Sequence, residues 1–491
     1  MTHIINNYIK IIFAILSVVA FNATAQTTKK PNVIVIMTDD LGYQDVGFNG
    51  CTDIPTPNID RIASNGVTFT NGYTSYAVCG PSRAGFITGR YQQRFGFERN
   101  PQYRTDDPNM GLPKEEKTIA EYLHTVGYTS GVIGKWHLGA HLSNHPLNRG
   151  FDHFFGHLGG GHTYFPENLT IKDSYFTGDY VQIPDEKDPN KTWKAPAETA
   201  SYRTWIMKNH EPVKTEKYLT DEFSDAAVEF VERNQKEPFF LFLSYNAPHT
   251  PLQASKKYLE RFDHIQDKKR KSYAAMVSAV DDGVGLILDK LAELGLEENT
   301  MVFFLSDNGG PETKNASNNG ILREGKGSIY EGGFRVPFAL QFKGTIEPQK
   351  KYEYPISSLD IFGTIAELSK VAISKEKPLD GVNIVPYING EISGNPHQHI
   401  YIRKFDQQLY SVRDGDLKLI VKGKTNKVEL FNVKDDVSES FNIANKYPEE
   451  VKRLQSVLDR WESKLKDPIF LGLLHTDAKI KQRKKNKKTK K

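Results

Sequence analysis

Four short strand-like runs, each followed at once by polar residues, constrain the fold of this chain more than any other feature. They are Val33–Met37, Thr129–Ile133, Phe239–Leu243 and Val302–Leu305. The first is apolar throughout, which is typical of a strand buried on both faces of a parallel sheet. Helical stretches separate the runs, including Thr220–Asn234 and Ser272–Leu294. The alternation predicts a mainly parallel α/β sheet flanked by helices.

Polar residues follow each run at the point where the predicted strand ends. The segments are Asp39-Asp40, Lys135-Trp136-His137, Pro248-His249-Thr250-Pro251 and Asp307-Asn308-Gly309-Gly310. In open α/β sheets, ligands bind outside the carboxyl ends of the strands. Four separate strands therefore bring metal-binding or acid/base residue types to one edge of the sheet, and this convergence predicts a functional site there.

Two of these segments supply oxygen ligands alone, namely Asp39, Asp40, Asp307 and Asn308. Three carboxylates and an amide oxygen suit a hard cation rather than zinc. Taken singly, either pair is equally consistent with a surface turn. Together with the cysteine segment described next, they favour a site for one Ca²⁺ ion, with Mg²⁺ as the alternative.

The segment Cys79-Gly80-Pro81-Ser82-Arg83, continued by Thr88-Gly89-Arg90, resembles the signature of the type I sulfatases. The resemblance runs in order from about residue 32 to residue 337, and it implies an alkaline-phosphatase-like fold. In that family the cysteine is oxidised after translation to formylglycine (3-oxoalanine), whose hydrate is the nucleophile. The resemblance therefore makes Cys79 the modified residue, whereas the alternative is a buried, inert thiol. Pro81 suits the first turn of a helix, which places Cys79 at a helix N-terminus.

Three other segments resemble further parts of the same family pattern. Lys135 and His137 lie in Gly-Lys-Trp-His-Leu-Gly, a segment that holds substrate sulfate and assists turnover. His249 lies in Pro-His-Thr-Pro, whose histidine faces the leaving group, and Lys326 matches a sulfate-binding lysine. The resemblance also implies that Arg83, one turn beyond Cys79, holds the hydrate by charge-assisted hydrogen bonds.

The resemblance implies a sulfatase that hydrolyses sulfate esters of a sulfated carbohydrate, first of all an algal polysaccharide of the ulvan or carrageenan type. Its partners would be that saccharide and a formylglycine-generating or sulfatase-maturing enzyme. Residues 91–96 resemble the continuation found in secreted bacterial polysaccharide sulfatases. The alternatives are a glycosaminoglycan sulfatase, a phosphonate or phosphate monoester hydrolase on the same fold, and a non-catalytic binder of sulfated glycans with Cys79 as a thiol.

The N-terminus has the pattern of a secretory signal. The apolar run Ile11–Phe21 is too short to span a bilayer, and small residues precede Gln26 as a cleavage site. We therefore expect a signal peptide over residues 1–25 and an exported protein, periplasmic or secreted, and no later segment is apolar enough to cross a membrane. Only Cys51 and Cys79 could form a disulfide, and conversion of Cys79 would prevent it.

The net charge of +4 conceals an uneven distribution. Nine of the thirteen residues from Lys479 to Lys491 are Lys or Arg, and without these nine charges the remaining chain carries −5. A basic block of this kind is typical of a disordered, solvated tail. The otherwise acidic chain makes nucleic acid a poor partner.

Changes in composition and hydrophobic pattern along the chain predict its domain organisation. We expect a catalytic domain over residues 26–388 with a rim insertion at 164–212, a C-terminal α+β subdomain over 389–470, and the basic tail over 471–491. The subdomain has strand candidates at Ile400–Arg403, Gln408–Arg413, Leu417–Val421 and Val428–Phe431, followed by a helix at Glu449–Lys466. These patterns predict a small antiparallel sheet with a helix packed on it.

Local signals also predict caps and loops. Thr56-Pro57 is typical of a helix start, and Thr118 with Glu121 predicts a capping box. A dense stretch comprises His141, His145, Arg149, His153, His157 and His162. It favours residues that cap loops or line a pocket over a second metal site.

Overall fold

The computed structural model of the protein describes residues 30–165, 180–184, 192–196 and 205–475. The predicted signal peptide, most of the predicted insertion at 164–212 and nearly all of the basic tail lie outside these residues. Within the described residues, no helix combines the length and apolarity that crossing a bilayer requires.

The strands, in chain order, are β1 (Asn32–Thr38), β2 (Val67–Phe69), β3 (Gly72–Tyr73), β4 (Thr129–Lys135), β5 (His153–His157), β6 (Tyr180–Pro184), β7 (Thr192–Pro196), β8 (Met207–Lys208), β9 (Glu211–Pro212), β10 (Phe239–Ser244), β11 (Thr300–Ser306), β12 (Phe338–Gln341), β13 (Lys350–Tyr352), β14 (Ile356–Ser357), β15 (His399–Lys404), β16 (Leu409–Asp414), β17 (Leu417–Lys422) and β18 (Lys427–Asn432).

The helices are α1 (Pro57–Ser64), α2 (Cys79–Thr88), α3 (Ile119–His124), α4 (Leu219–Asn234), α5 (Lys256–Leu259), α6 (Lys268–Glu293), α7 (Glu331–Phe334), α8 (Leu359–Leu368), α9 (Val385–Ile388) and α10 (Pro448–Glu462). All the predicted strands and long helices are present, with ends that differ from the predicted ends by up to four residues. The capping box at Thr118 and Glu121 opens α3 as predicted. Thr56 precedes α1 but does not cap it, because its hydroxyl accepts a hydrogen bond from the Gly47 amide at 2.8 Å instead.

A ten-stranded sheet in the order β13-β2-β12-β11-β1-β10-β4-β5-β8-β9 forms the centre of the molecule. The five strands from β11 to β5 are parallel to their neighbours. Towards the edges, β12 runs antiparallel to β11 and β2, and β8 runs antiparallel to β5 and β9. The predicted fold class, a mainly parallel sheet with a smaller antiparallel one, is confirmed.

Strand β1 shows why the central strands read as apolar on every residue. Val33, Val35 and Met37 point into one hydrophobic core, and Ile34 and Ile36 point into the other, on the opposite face of the sheet. Side chains alternate across a strand, so a strand covered on both faces must be apolar at successive positions.

The register of the parallel strands brings their polar ends together. Met37 of β1 lies between Ser244 of β10 and Leu305 of β11, and Ser244 is opposite Gly134 of β4. The segments that follow these four strands therefore leave the sheet side by side at its carboxyl edge.

The C-terminal strands form a separate antiparallel sheet in the order β15-β16-β17-β18. Helix α10 packs on it through Leu454, Leu458 and Trp461. The other side of this sheet shares a buried cluster with Tyr73, Tyr76 and Phe334 of the main body, so the subdomain is fixed by its own contacts to the loops near the carboxyl edge.

Candidate active site

Four side chains from three parts of the chain meet at the carboxyl edge of the central sheet. Each of Asp39, Asp40, Cys79 and Asp307 contributes one atom to a group whose members all lie within 4.8 Å of one another. The aspartates follow β1 and β11, as the sequence predicted, and all four side chains are buried.

Cys79 is the first residue of α2, with Pro81 in the first turn as expected. Its Sγ lies 3.3 Å from Oδ1 of Asp39 and 3.1 Å from Nζ of Lys326. Only 2% of Cys79 is exposed, and neither it nor Cys51 forms a disulfide. Burial, with Asp307 and Asp39 as further causes, raises the pKa of the Cys79 thiol well above its usual value. The unmodified thiol is therefore a poor nucleophile at neutral pH.

Two lysines bind the carboxylates beside Cys79. Nζ of Lys135, at the end of β4, lies 2.5 Å from Oδ2 of Asp39, and Nζ of Lys326 lies 2.5 Å from Oδ1 of Asp40. Burial alone would raise the pKa of Asp39, but the nearby positive charges, Lys135 first, hold it well below its usual range. Both lysine heads thus lie where they can bind an anion that enters the site.

The Arg83 side chain contacts Asp307, one of the candidate metal ligands. Its Nε donates to Oδ2 of Asp307 at 2.9 Å, and its Nη1 donates to the Ser244 hydroxyl and to the Lys135 carbonyl. Nη2 is buried and has no hydrogen-bond partner among the described residues. Burial and the charge of Asp39 raise the pKa of Asp307 to about 6, although Arg83 opposes the rise.

The donor set fits a hard divalent cation. Oδ1 of Asn308 is buried and has no hydrogen-bond partner in the described part of the chain, while Nδ2 of the same amide donates to Asp40 Oδ1 at 2.7 Å. The Asn308 side chain therefore has an oxygen available as a ligand beside three carboxylates. Ca²⁺ and Mg²⁺ prefer oxygen donors of this kind. The charges of these carboxylates are matched by three cations, Lys135, Lys326 and Arg83. A divalent ion would give the site a net charge of about +2, suited to an anionic substrate.

Two residues of the site have backbone dihedrals that side chains rarely adopt. Asp40 has φ 67° and His137 has φ 62°. Such left-handed residues persist where the surroundings over-determine them, often at functional sites. The loop after β11 is also tightly packed, because a Cβ on Gly309 would lie 1.8 Å from the Gly332 carbonyl oxygen.

His249 faces the same aspartates from the loop after β10. Its Nδ1 contacts the Thr250 carbonyl at 2.6 Å, and its Nε2 lies 3.7 Å from Oδ2 of Asp40. A carbonyl can only accept, so Nδ1 carries a proton and Nε2 is the atom that exchanges one with a ligand. Burial lowers the pKa of His249, partly offset by Asp39 and Asp40.

His137 is buried in the site, with 1% of the residue exposed. Both of its ring nitrogens are buried without a hydrogen-bond partner among residues that the structure describes. Tyr103 lies beside it with the ring centroids 6.0 Å apart, and a Cβ on Gly160 would lie 2.6 Å from Nε2 of His137. Burial, then the charges of Lys135 and Arg83, lowers the pKa of His137 well below its usual value, so the ring is a neutral proton acceptor.

Three neighbours of the site were not predicted. Ser244 bridges Arg83 and the Lys135 carbonyl, and Oδ1 of Asn100 accepts from the Gly80 amide in the first turn of α2 at 2.9 Å. Lys404 of β15 donates to the Gly327 carbonyl, next to Lys326. Ser244 and Lys404 could each have been found as the first residue after a predicted strand, whereas Asn100 lies in a segment with no recognisable pattern.

The dense histidine stretch caps loops. Nδ1 of His141 accepts from the Ser143 amide at 3.1 Å, and Nδ1 of His145 accepts from the Leu147 amide at 3.3 Å. Among the described residues, the clusters suited to a metal contain none of these histidines. Glu331, at the start of α7, forms an ion pair with Arg335 at 3.3 Å.

Comparison with known families and structures gives two matches along the chain. A family model described as Sulfatase matches residues 31–371, and a model described as N-sulphoglucosamine sulphohydrolase, C-terminal, matches residues 325–466. The first contains every predicted site residue. The second covers most of the antiparallel sheet and its helix.

Individual relatives agree with the family models. Arylsulfatase from Hemicentrotus pulcherrimus is 34% identical, over 79% of this chain and 67% of its own, and human arylsulfatase H is 33% identical, over 76% and 75%. The crystal structure of Ps i-CgsB in complex with k-i-k-neocarrahexaose superposes with a TM-score of 0.82 at 36% identity, covering 94% of this chain and 98% of that one. The likeness extends across both sheets and agrees with the predicted fold.

Proposed function

Because the chain belongs to the sulfatase family and is a sulfuric ester hydrolase, we propose that it removes sulfate groups from a sulfated saccharide. One observation carries this proposal above the others. A cysteine at a helix N-terminus lies within 4.8 Å of three aspartates, with two lysines bound to those aspartates. That arrangement offers a nucleophile position, a cation site and an anion cradle in one buried place.

Cys79 is proposed to become formylglycine (3-oxoalanine) through a formylglycine-generating or sulfatase-maturing enzyme. The hydrate of this aldehyde would place two hydroxyl groups where the thiol now lies between Asp39 and Lys326. The helix N-terminus and the lysine both favour negative charge on the attacking oxygen. Arg83 has one unused donor, Nη2, with which to hold the hydrate.

Asp39, Asp40, Asp307 and Asn308 are proposed to hold one divalent cation, Ca²⁺ in the first instance. When bound, a cation there would draw electron density from a sulfate oxygen and make the sulfur more electrophilic. Lys135 and Lys326 would exchange their carboxylate contacts in part for sulfate oxygens, as an electrostatic cradle for the developing charge.

Three side chains are proposed to move protons in the two steps. In the first, one hydrate oxygen bonds to sulfur as the bond from sulfur to the sugar oxygen breaks. Asp307 accepts the hydroxyl proton. His249 must enter the step as an imidazolium, with a proton taken up at Nε2 from solvent, and it gives that proton to the departing sugar oxygen and becomes neutral. In the second, the remaining hydroxyl loses its proton to neutral His137, the aldehyde forms, and sulfate leaves. Water then restores the hydrate.

The proposed substrate is a sulfated galactan oligosaccharide of the carrageenan type, with ulvan as the other algal polysaccharide. Support comes from the similarity to Ps i-CgsB, whose crystallised ligand is named as a neocarrahexaose. A glycosaminoglycan is the second candidate, because the match at residues 325–466 is to an N-sulphoglucosamine sulphohydrolase model. Sulfate release from carrageenan, ulvan and heparan oligosaccharides, measured side by side, separates these substrates.

The deciding experiment determines the chemical state of Cys79. The protein is co-expressed with a formylglycine-generating enzyme, treated with a hydrazide probe and digested, and the peptide containing residue 79 is analysed by mass spectrometry. A labelled peptide is expected. An intact thiol in protein that nevertheless binds sulfated glycans would favour the non-catalytic binder.

The rival hydrolase is tested on simple esters. An aryl sulfate should be hydrolysed faster than the matching aryl phosphonate or phosphate ester. The reverse order would favour the monoester hydrolase of the same fold.

Export is proposed on the sequence pattern of residues 1–25, which lie outside the described residues. A catalytic domain over 26–388 and a subdomain over 389–470 are likewise proposed as the units of the chain. Partial proteolysis followed by mass spectrometry locates the boundary, and the mature N-terminus tests the cleavage before Gln26.

A further inference from the structure

A groove of about 700 Å³ opens between the main sheet and the C-terminal sheet. Four cations and two aromatic rings line it, from Arg335, Lys351, Tyr352, Tyr354, Arg413 and Lys434. Two acidic residues, Glu353 and Asp416, line it as well, so the cations are in excess by two. None of these residues belongs to the site described above. We refer to this feature as the arginine groove.

Arg413 is the unusual residue of this groove. It is 5% exposed, yet none of its hydrogen-bond partners is a carboxylate. Nε donates to the Gly415 carbonyl, and Nη1 donates to Asn71 Oδ1 and to the Tyr73 hydroxyl. Throughout the described ranges, no acidic side chain lies within ion-pair distance of Arg413, and Nη2 takes no part in its bonds. Its link to a carboxylate is indirect, because the Tyr73 hydroxyl that it contacts donates to Oε2 of Glu331 at 2.5 Å. A buried guanidinium that makes no direct ion pair among the described residues can still take an anionic ligand.

Aromatic surface lies beside this charge. Tyr352 and Tyr354 have ring centroids 5.7 Å apart, and Tyr354 is 49% exposed. The Tyr352 hydroxyl is buried and unpartnered among the described residues. Exposed Lys351 and Lys434 extend the positive charge along the groove, each near one acidic neighbour. Cations next to aromatic faces and a spare hydroxyl suit a sugar ring that bears sulfate groups.

The topology places the arginine groove on the same edge of the sheet as Cys79. Strand β2 is parallel to β1, since two antiparallel steps separate it from β11, and β13 is parallel to β2. The groove residues after β2 and β13 therefore leave the sheet at the edge where Asp39 and Asp307 leave it. Three strand spacings separate β1 from β2, which is about 14 Å.

Tyr43 connects the two places. It follows Asp40 by three residues, donates its hydroxyl to the Thr70 carbonyl at 3.1 Å, and lies 5.4 Å from the Arg335 guanidinium. The loop after β1 thus has the candidate cation ligands at one end and the groove wall at the other.

We propose that the arginine groove binds a sulfated stretch of the saccharide chain away from the ester that is cleaved, with Arg413 contacting a sulfate group. This inference rests on the proposed function for the identity of the saccharide. It predicts that long sulfated chains bind better than single sulfated sugars, and that the difference depends on groove residues alone.

The test compares three variants in kinetics and binding. Arg413→Gln removes the buried charge, and the double variant Lys351→Ala/Tyr354→Ala alters only exposed groove residues, so that folding is not at issue. The matched control, Lys256→Ala/Tyr447→Ala, removes an exposed lysine and a tyrosine elsewhere. Each is assayed with p-nitrophenyl sulfate and a carrageenan octasaccharide. Binding of dextran sulfate, desulfated dextran and inorganic sulfate is measured by calorimetry.

Both groove variants should raise the octasaccharide KM and the dextran sulfate Kd at least tenfold, with kcat/KM for p-nitrophenyl sulfate within twofold of the parent. Unchanged values, or equal losses in the control, would overturn the proposal. Equal binding of desulfated dextran would also overturn it, as would groove-dependent binding of inorganic sulfate alone. Failure of the parent to release sulfate from any ester would contradict the proposed function instead, and dextran sulfate binding would still decide on the groove.

Discussion

Cys79 lies between carboxylates that oppose a negative charge at its side chain and lysines that favour one. Burial first, then Asp307 and Asp39, raises the pKa of the thiol, whereas Lys326 lies 3.1 Å from the sulfur and opposes the rise. Nucleophilic attack from this position therefore depends on the proposed conversion of the thiol to another group.

Replacement of Cys79 by alanine should therefore abolish turnover while leaving the fold intact. We expect sulfate ester hydrolysis to fall below about one-thousandth of the parent rate, because no other nucleophile is aligned. The lost sulfur should cost about 1 kcal/mol of unfolding free energy. Cys51→Ala is the matched control, since its half-buried thiol contacts Asp53 and lies outside the candidate active site. A Cys79→Ala protein that retains more than trace activity would rule out the proposed nucleophile.

Asn308 is expected to contribute to cation binding through its side-chain oxygen, Oδ1. Asn308→Ala removes the unpartnered Oδ1, so we expect the affinity for Ca²⁺ to weaken by at least about tenfold. The parent, at a free Ca²⁺ concentration of 100 times its Kd, should gain about 2.7 kcal/mol over the chelator-treated protein. Thermal unfolding across a calcium titration measures both, with exposed Asn148→Ala as control. An identical titration for Asn308→Ala and the parent would mean that the ligand set is wrong.

The position of a side chain could be predicted from sequence where it follows a strand directly. Asp39, Asp40, Lys135 and Asp307 are each fixed within two residues of a strand end, so pairing of the strands decides where they lie. Arg83 was expected to face Cys79, and its observed bonds to Asp307 and Ser244 depend on contacts between elements that no local pattern encodes.

At the scale of elements, the loop that holds Lys326 is fixed from three directions. The Gly327 amide donates to the Ala77 carbonyl, two residues before Cys79, and the Lys326 amide donates to the Gly310 carbonyl. Lys404, at the end of β15, donates to the Gly327 carbonyl. The C-terminal sheet thereby helps to position the lysine that touches Cys79.

Lys404→Met should accordingly lower kcat/KM about tenfold, since a hydrogen bond from a charged donor is worth about 1.5–3 kcal/mol. Lys424→Met is the matched control, because this exposed lysine also donates to a carbonyl, that of Asp406. Steady-state kinetics on an aryl sulfate, with melting temperatures alongside, measure the effect. Equal losses in both variants would exclude a positioning role for Lys404.

His397 should give stability a pH dependence with a defined sign. Its Nε2 lies 2.6 Å from Oδ1 of Asp360 in α8, and this carboxylate raises the pKa of His397 although burial opposes the rise. A folded-state pKa above the unfolded one stabilises the protein below about pH 6.5, and the gain is lost as pH rises through the folded value.

His397→Gln should therefore destabilise the protein by about 1.5 kcal/mol near pH 5.5 and by less near pH 9. Chemical denaturation at both pH values tests this, with exposed His264→Gln as control. A loss that grows with pH would contradict the assigned sign.

Several strands that escaped prediction are short, although the five-residue strand β5 and the ten-residue helix α8 escaped it too. β2 and β13 have three residues each, and β8 and β9 have two, too few for a period of alternation to show. These short strands form because neighbouring strands of the sheet provide backbone hydrogen-bond partners for them. The central parallel strands, in contrast, can be predicted from sequence because they are long and mainly apolar.

At the scale of the whole molecule, one buried lysine joins the two sheets. Lys418 of β17 is fully buried, with Nζ 2.9 Å from Glu331 of α7 and 2.8 Å from Glu439. Lys418→Met would leave Glu439 without an ion-pair partner among the described residues and Glu331 with Arg335 alone, which should cost about 3–5 kcal/mol. Lys422→Met, which breaks a partly exposed pair with Glu429, should cost at most about 1 kcal/mol. Urea unfolding of both variants checks the difference, and equal midpoints would show that Lys418 does not fasten the subdomain.

The complete burial of helix α2 has a consequence for the order of events in the life of this protein. All ten of its residues are inaccessible, and Cys79 begins the helix. A second enzyme cannot reach this thiol in the folded protein, where Cys79 is 2% exposed. The proposed conversion would therefore have to precede folding, and a molecule that folds first would stay unconverted.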